Sequence, residues 1–137
     1  MIANRSVPTA SVIPVLTYPD VLEASEWLCN AFGFSERLRI GAHRVQLVFG
    51  DGAVIVTNRA ESDADPTTGM HSVHVRVEDA AGHHERAALS GARILQPPAD
   101  YPYGERQYTA EDPGGHRWTF SQSIADVDPA SWGGTAS

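Results

Sequence analysis

Short apolar runs punctuated by turn residues set the rhythm of the chain. Val12–Leu16 continues through Tyr18 to Asp20, and the stretch after it closes at Gly33. That order predicts a strand, an Asp N-cap and a helix ended by a left-handed glycine. Glu23, three residues after Asp20, adds a capping-box-like pattern. Three strand-like stretches follow: Ser35–Ile40, His43–Phe49 beyond a Gly41-Ala42 turn, and Ala53–Asn58 beyond Asp51-Gly52. Asp-Gly between two apolar runs is a strong hairpin signal.

The same order then returns. His71–Asp79 reads as a strand with an Asp cap, and the helical stretch after it closes at Gly91. Asp20 and Asp79 stand 59 apart and Gly33 and Gly91 stand 58 apart, so the second half repeats the pattern of the first with a slip of one. Its strands are expected at Ala92–Gln96, Glu105–Glu111 and His116–Ser121. A connection over Pro97–Gly104 and a Pro113-Gly114-Gly115 turn separate them. Each half reads strand-helix-strand-strand-strand. One α+β domain over 1–137 is expected: modules at about 11–58 and 71–122, a polar linker at 59–70, and an irregular tail at 123–137 carrying Trp132.

Composition narrows the field. The 137 residues are 42% hydrophobic and 20% charged, an ordinary globular mix. No apolar run reaches the roughly 18 residues of a membrane span, and no signal-peptide pattern opens the chain, so a cytoplasmic protein without a membrane partner is expected. The formal net charge is −7 and basic residues do not cluster, which argues against nucleic acid. All ten basic residues are arginine, which excludes Schiff-base lysines and a phosphate-loop lysine. The lone Cys29 excludes an internal disulfide and cysteine-cluster zinc sites, and it reads as a small helix-buried hydrophobe.

The tandem βαβββ pattern resembles the glyoxalase/bleomycin-resistance/extradiol-dioxygenase superfamily, the vicinal oxygen chelate fold. The resemblance is carried by Pro14-Val-Leu-Thr, Asp20 and Ala31-Phe-Gly-Phe34 in the first half. In the second it rests on Val75-Arg-Val-Glu-Asp79, Ser90-Gly-Ala92, Tyr103-Gly-Glu-Arg106 and Asp112-Pro-Gly-Gly-His-Arg-Trp-Thr-Phe120. It implies an eight-stranded mixed sheet set bent into a cup, with one helix per module on the convex side, and usually a homodimer. Metal-bearing relatives place ligands at positions that fall here on Ile13, roughly Val56, Ser72 and Thr119. None is an imidazole or carboxylate, so the resemblance implies no metal at that site and no cofactor.

Strand alternation assigns faces. Val73, Val75 and Val77 should pack under the helix, leaving Ser72, His74 and Arg76 on the cup. By the same rule Val45, Leu47, Phe49, Tyr108, Ala110, Trp118 and Phe120 go inward. Arg44, Gln46, Val48, Gln107, Thr109, Glu111, Arg117, Thr119 and Ser121 then face the cup, joined by Ile13, Val15, Val54 and Val56. An apolar wall facing a polar one suits a mid-sized organic ligand, and arginine forks suit a carboxylate or phenolate on it. The candidate ligand-binding set is therefore Ile13, Val15, Gln46, Val56, Ser72, His74, Arg76, Thr109, Arg117 and Thr119. His74 and Glu111 are the candidate proton-transfer groups should there be catalysis. His83 and His84 read as helix-surface residues, and His116 as a turn-stabilising one. The expected function is small-molecule binding of the bleomycin-resistance type, including antibiotic resistance. The alternative is a lyase, isomerase or dioxygenase of the same superfamily, with an unusual metal site or a metal-free His/Glu proton shuttle.

Overall fold

The computed structural model describes residues 2–58 and 71–135; the expected linker at 59–70 lies outside them. Strand β1 (Val15–Tyr18) leads into helix α1 (Val21–Phe32), β2 (Ser35–Ile40), β3 (Arg44–Phe49) and β4 (Gly52–Asn58). The second module repeats this as β5 (Ser72–Arg76), α2 (Ala80–Leu89), β6 (Arg93–Tyr101), β7 (Glu105–Glu111) and β8 (Arg117–Ser123). Both Asp caps form: Asp20 accepts from the Glu23 amide at 3.0 Å and Asp79 from the Gly82 amide at 3.1 Å. Gly33 ends α1 with φ 84° and ψ 19°, a conformation that a Cβ would strain.

The eight strands form two four-stranded mixed sheets, ordered β1-β4-β3-β2 and β5-β8-β7-β6. The first pair in each is parallel and the rest are antiparallel. The connection expected over Pro97–Gly104 is instead mostly strand, because β6 runs through Pro97 and Pro98 to Tyr101. It lies at the sheet edge, and its register slips between Gln96 and Ala99. Prolines that lack an N–H are tolerated at such a place.

One apolar cluster serves both modules. Phe32, at the end of α1, reaches across to Trp118 and Phe120 of β8, with ring centres at 5.3 and 4.8 Å. Fully burying side chains of this size contributes roughly 1.5–3 kcal/mol each. The helices pack on each other, and polar contacts stitch that seam. Arg86 donates to the carbonyls of Asn30 (2.8 Å) and Cys29 (3.1 Å) at the C-terminal end of α1, where Cys29 O also accepts from the Gly33 amide, and the Trp27 indole donates to Ser90 O at 3.0 Å.

His83 belongs to this seam, not to the helix surface where its neighbour His84 suggested it. Its Nε2 lies 2.8 Å from the Phe32 carbonyl, an acceptor only, so Nε2 carries the proton and Nδ1 accepts from the Tyr108 hydroxyl. Burial holds its pKa below the usual imidazole value.

A second link is built on Asp112. Its buried carboxylate accepts from the Tyr18 hydroxyl (2.5 Å), the Trp118 indole (3.0 Å) and the amides of Gly114 and His116 (3.0 Å each). His116 Nε2 donates to the Thr17 carbonyl at 2.8 Å, so it ties β1 to the second module as well as closing the turn. Each sheet turns its helix-covered face toward the shared core. Their other faces look outward, and among the described residues the backbones of the two modules approach each other most closely through α1 and α2.

Candidate functional site

The outer face of the second sheet follows from its register. Ser72, His74 and Arg76 stand opposite Arg117, Thr119 and Ser121. Those three in turn face Glu111, Thr109 and Gln107, and Ser123 faces Glu105. Ser72, His74 and Arg76 are all exposed while Val73 and Val75 lie against the core, as alternation requires. The Thr109 and Thr119 hydroxyls are 3.1 Å apart, so those two expected contact residues hold each other. Ser121, 1% exposed, donates to Glu105 at 2.8 Å and accepts from Gln107 at 3.0 Å. Hydrogen bonds from Ser123 and Ser121, then the charges of Arg76 and His74, hold the Glu105 carboxyl below the usual range. The face thus carries a fixed anion at one end and a guanidinium, Arg76, with no hydrogen-bond partner among the described residues.

Glu111 does not join His74. Strand β8 runs between them, so their backbones lie roughly 10 Å apart, and Glu111 instead faces Arg93 at 3.7 Å. Arg117 is exposed at the same end of the face.

The outer face of the first sheet differs from expectation in one strand. Val56 is fully buried on the core side, level with Leu16, and Val54 is in the core with it. The register puts Ala53 and Ile55 outward in their place, alongside Val15, Gln46 and Val48. Ile13 precedes β1 and is half-buried, whereas Val15 is 52% exposed. Gln46 is only 3% exposed, because the chain ahead of β1 crosses this face. Its amide donates to Ser6 O at 2.8 Å and accepts from Arg37 at 2.6 Å, and Arg37 also donates to Arg5 O at 2.9 Å. Arg37 was missed because a register shift between Glu36 and Leu38 breaks the alternation of β2.

Between the modules lies a groove of about 1170 Å³, open along the β5 edge. Apolar Phe34, Phe49, Ala53 and Val73 line it together with His74 and Arg76 and the acids Asp51, Glu78 and Asp79. It brings two expected site residues of the second module to the apolar end of the first. Within one chain both outer faces look away from the shared core, so the apolar and polar walls do not oppose each other there.

At the far end of the second sheet the tail adds aromatic surface. Ile124 and Ala125 both donate to Gly104 O, and a 3-10 turn at Pro129–Trp132 follows. It sets the half-exposed Trp132 ring 5.1 Å from Tyr103, which stacks on Tyr101 at 5.4 Å and donates to Gln107 at 3.2 Å. Glu105, Gln107, Tyr103 and Trp132 were not among the expected ligand contacts. The alternation that exposes Thr109 also exposes Glu105 and Gln107.

A divalent metal centre of the kind the fold often carries does not fit these residues. On the outer faces the relevant strands present Ile13, Ile55, Ser72 and Thr119, with His74 as a lone imidazole. Among the described residues no three of His, Cys, Asp and Glu gather.

The fold agrees with comparison to known proteins. Residues 11–120 match the model of the Glyoxalase/Bleomycin resistance protein/Dioxygenase superfamily, and the chain belongs to that family. TioX from Micromonospora sp. ML1 is 36% identical and superposes with a TM-score of 0.70, over 82% of this chain and 98% of that one. The bleomycin-binding protein of bleomycin-producing Streptomyces verticillus, solved with copper(II)-bleomycin, has a TM-score of 0.62 at 23% identity, over 85% of this chain and 98% of its own. An uncharacterized Mycobacterium bovis protein, Mb0911c, is 30% identical over 57 residues; that match spans 42% of this chain and 38% of the relative.

Proposed function

We propose that this protein binds a mid-sized organic ligand with an anionic or hydrogen-bond-accepting end, and does so without a metal. The groove carries this reading: it is large enough for such a molecule, apolar side chains line much of it, and the exposed Arg76 in its lining has no hydrogen-bond partner among the described residues. A homodimer completes the site, with the first-module outer face of one copy covering the second-module outer face of its partner. What supports this is that among the described residues Val15 is exposed and β5 is an edge strand. Drug sequestration, as in the bleomycin-binding neighbour, is the form of this function that the family suggests.

The test is titration by tryptophan fluorescence with metal-free and copper-loaded bleomycin and with a panel of aromatic carboxylates. Saturable binding is expected for at least one compound, with the ligand recovered chemically unchanged. Arg76→Ala should weaken it at least tenfold, since losing a charged hydrogen bond typically costs about 2 kcal/mol or more. Binding that ignores Arg76, or none across the panel, defeats the reading.

A further inference from the structure

Gln46 and Arg37 form a donor pair on the outer face of the first sheet, and in this chain the pair is already in use. The backbone turns at Asn4, where the Asn4 side chain accepts from the Ser6 amide at 3.0 Å, and two successive carbonyls are presented to the sheet. Arg37 holds Arg5 O at 2.9 Å and Gln46 holds Ser6 O at 2.8 Å, while Arg37 and Gln46 brace each other at 2.6 Å. Two residues on, Pro8 is buried. Ala53 and Ile55, which the register places on this same face, are buried as well. Segment 4–8 is therefore a strap with a polar clasp and an apolar foot.

We propose that the Arg37–Gln46 pair is a recognition site for carbonyl-type acceptors, and that the strap occupies it in the free protein. This rests on the ligand-binding reading above. A ligand presenting amide, ester or carboxylate oxygens takes the place of Arg5 O and Ser6 O, and the strap leaves as it enters. Gln46 has both ends of its amide engaged beneath the strap, and a ligand carbonyl that replaces Ser6 O keeps that donor paired while shielding it from water as the strap does. Exchange also lifts the buried Pro8 from its seat, leaving apolar surface for the body of the ligand.

Trypsin reports on the strap directly, because the bond it cuts after Arg5 is the one whose carbonyl Arg37 holds. In the full chain, cleavage at Arg5–Ser6, followed by mass spectrometry, should be at least tenfold slower than in Pro8→Asp, which unseats the foot without touching the donor pair. Gln46→Leu should speed cleavage as well, with thermal melting confirming that each variant is folded. The anionic dye anilinonaphthalene sulfonate, whose sulfonate oxygens are acceptors, should bind Pro8→Asp several-fold more tightly than the unaltered chain. It should also accelerate cleavage of the unaltered chain. Equal cleavage rates in the unaltered chain and Pro8→Asp overturn the strap. Slow cleavage with equal dye affinity in both chains overturns the idea that the strap guards a site, and leaves binding itself standing. Slow cleavage with no dye bound by either chain removes the ligand reading and this inference together.

Discussion

At the scale of single residues the most connected group is Asp112, with four donors converging on one buried carboxylate. Asp112→Ala strands all four, so a loss of about 3–5 kcal/mol is expected in urea unfolding. Tyr18→Phe removes one donor and should cost about 1–2 kcal/mol. Burial, followed by the neighbouring Asp112 charge, drives the Tyr18 phenol far above its ordinary pKa, so it should resist ionisation in an alkaline absorbance titration of the folded chain. His83 carries the acid-side prediction. Its folded pKa is depressed by burial first, with the Arg86 charge adding to the effect, while the Phe32 carbonyl opposes it. The neutral ring is the one the fold accepts. Its stabilisation is therefore complete above the unfolded value near 6.5 and drains away as pH falls through the lower folded value. Melting temperature should drop across that window in the unaltered chain and less steeply in His83→Gln. The sequence showed two adjacent histidines on a helix and no more. Which one faces the seam depends on how α1 crosses α2, a tertiary fact without a local signature.

At the scale of elements, β8 is the clearest case of alternation governing consequence. Trp118 and Phe120 are fully buried, and Thr119 between them is on the outer face. Trp118→Ala should cost about 3–5 kcal/mol of unfolding free energy, and Thr119→Ala less than about 1 kcal/mol. Where alternation is clean the faces were legible from sequence, as in β3, β5, β7 and β8. The caps at Asp20 and Asp79 were legible too, because short polar side chains at helix starts leave a local mark. It failed in β4, where Ala53–Val56 is buried on both sides and an unbroken apolar run carries no phase. It failed again in β6, whose two prolines imitate a loop while lying on an edge. The candidate site inherits these limits. Ser72, His74 and Arg76 were placed on the correct face, whereas Arg37 was hidden by a bulge and the strap by its lack of any periodic pattern.

At the scale of the whole molecule, the outward-looking faces set the expectation for assembly. Light scattering at micromolar concentration should return twice the chain mass, and Val15→Glu, which charges an exposed apolar position, should shift it toward the monomer while leaving the far-ultraviolet dichroism unchanged. The two modules also differ from their junction in when they can form. Within each module the strands and helix are close in sequence, but Tyr18 and Asp112 are separated by 94 positions. Closing so wide a loop is costly until both modules have taken shape, so the lock should be absent from the rate-limiting ensemble. Tyr18→Phe should then steepen decay of the native state in a chevron plot and barely alter the refolding limb. The hydroxyl that joins the halves would govern how long the folded chain lasts, not how quickly it arrives.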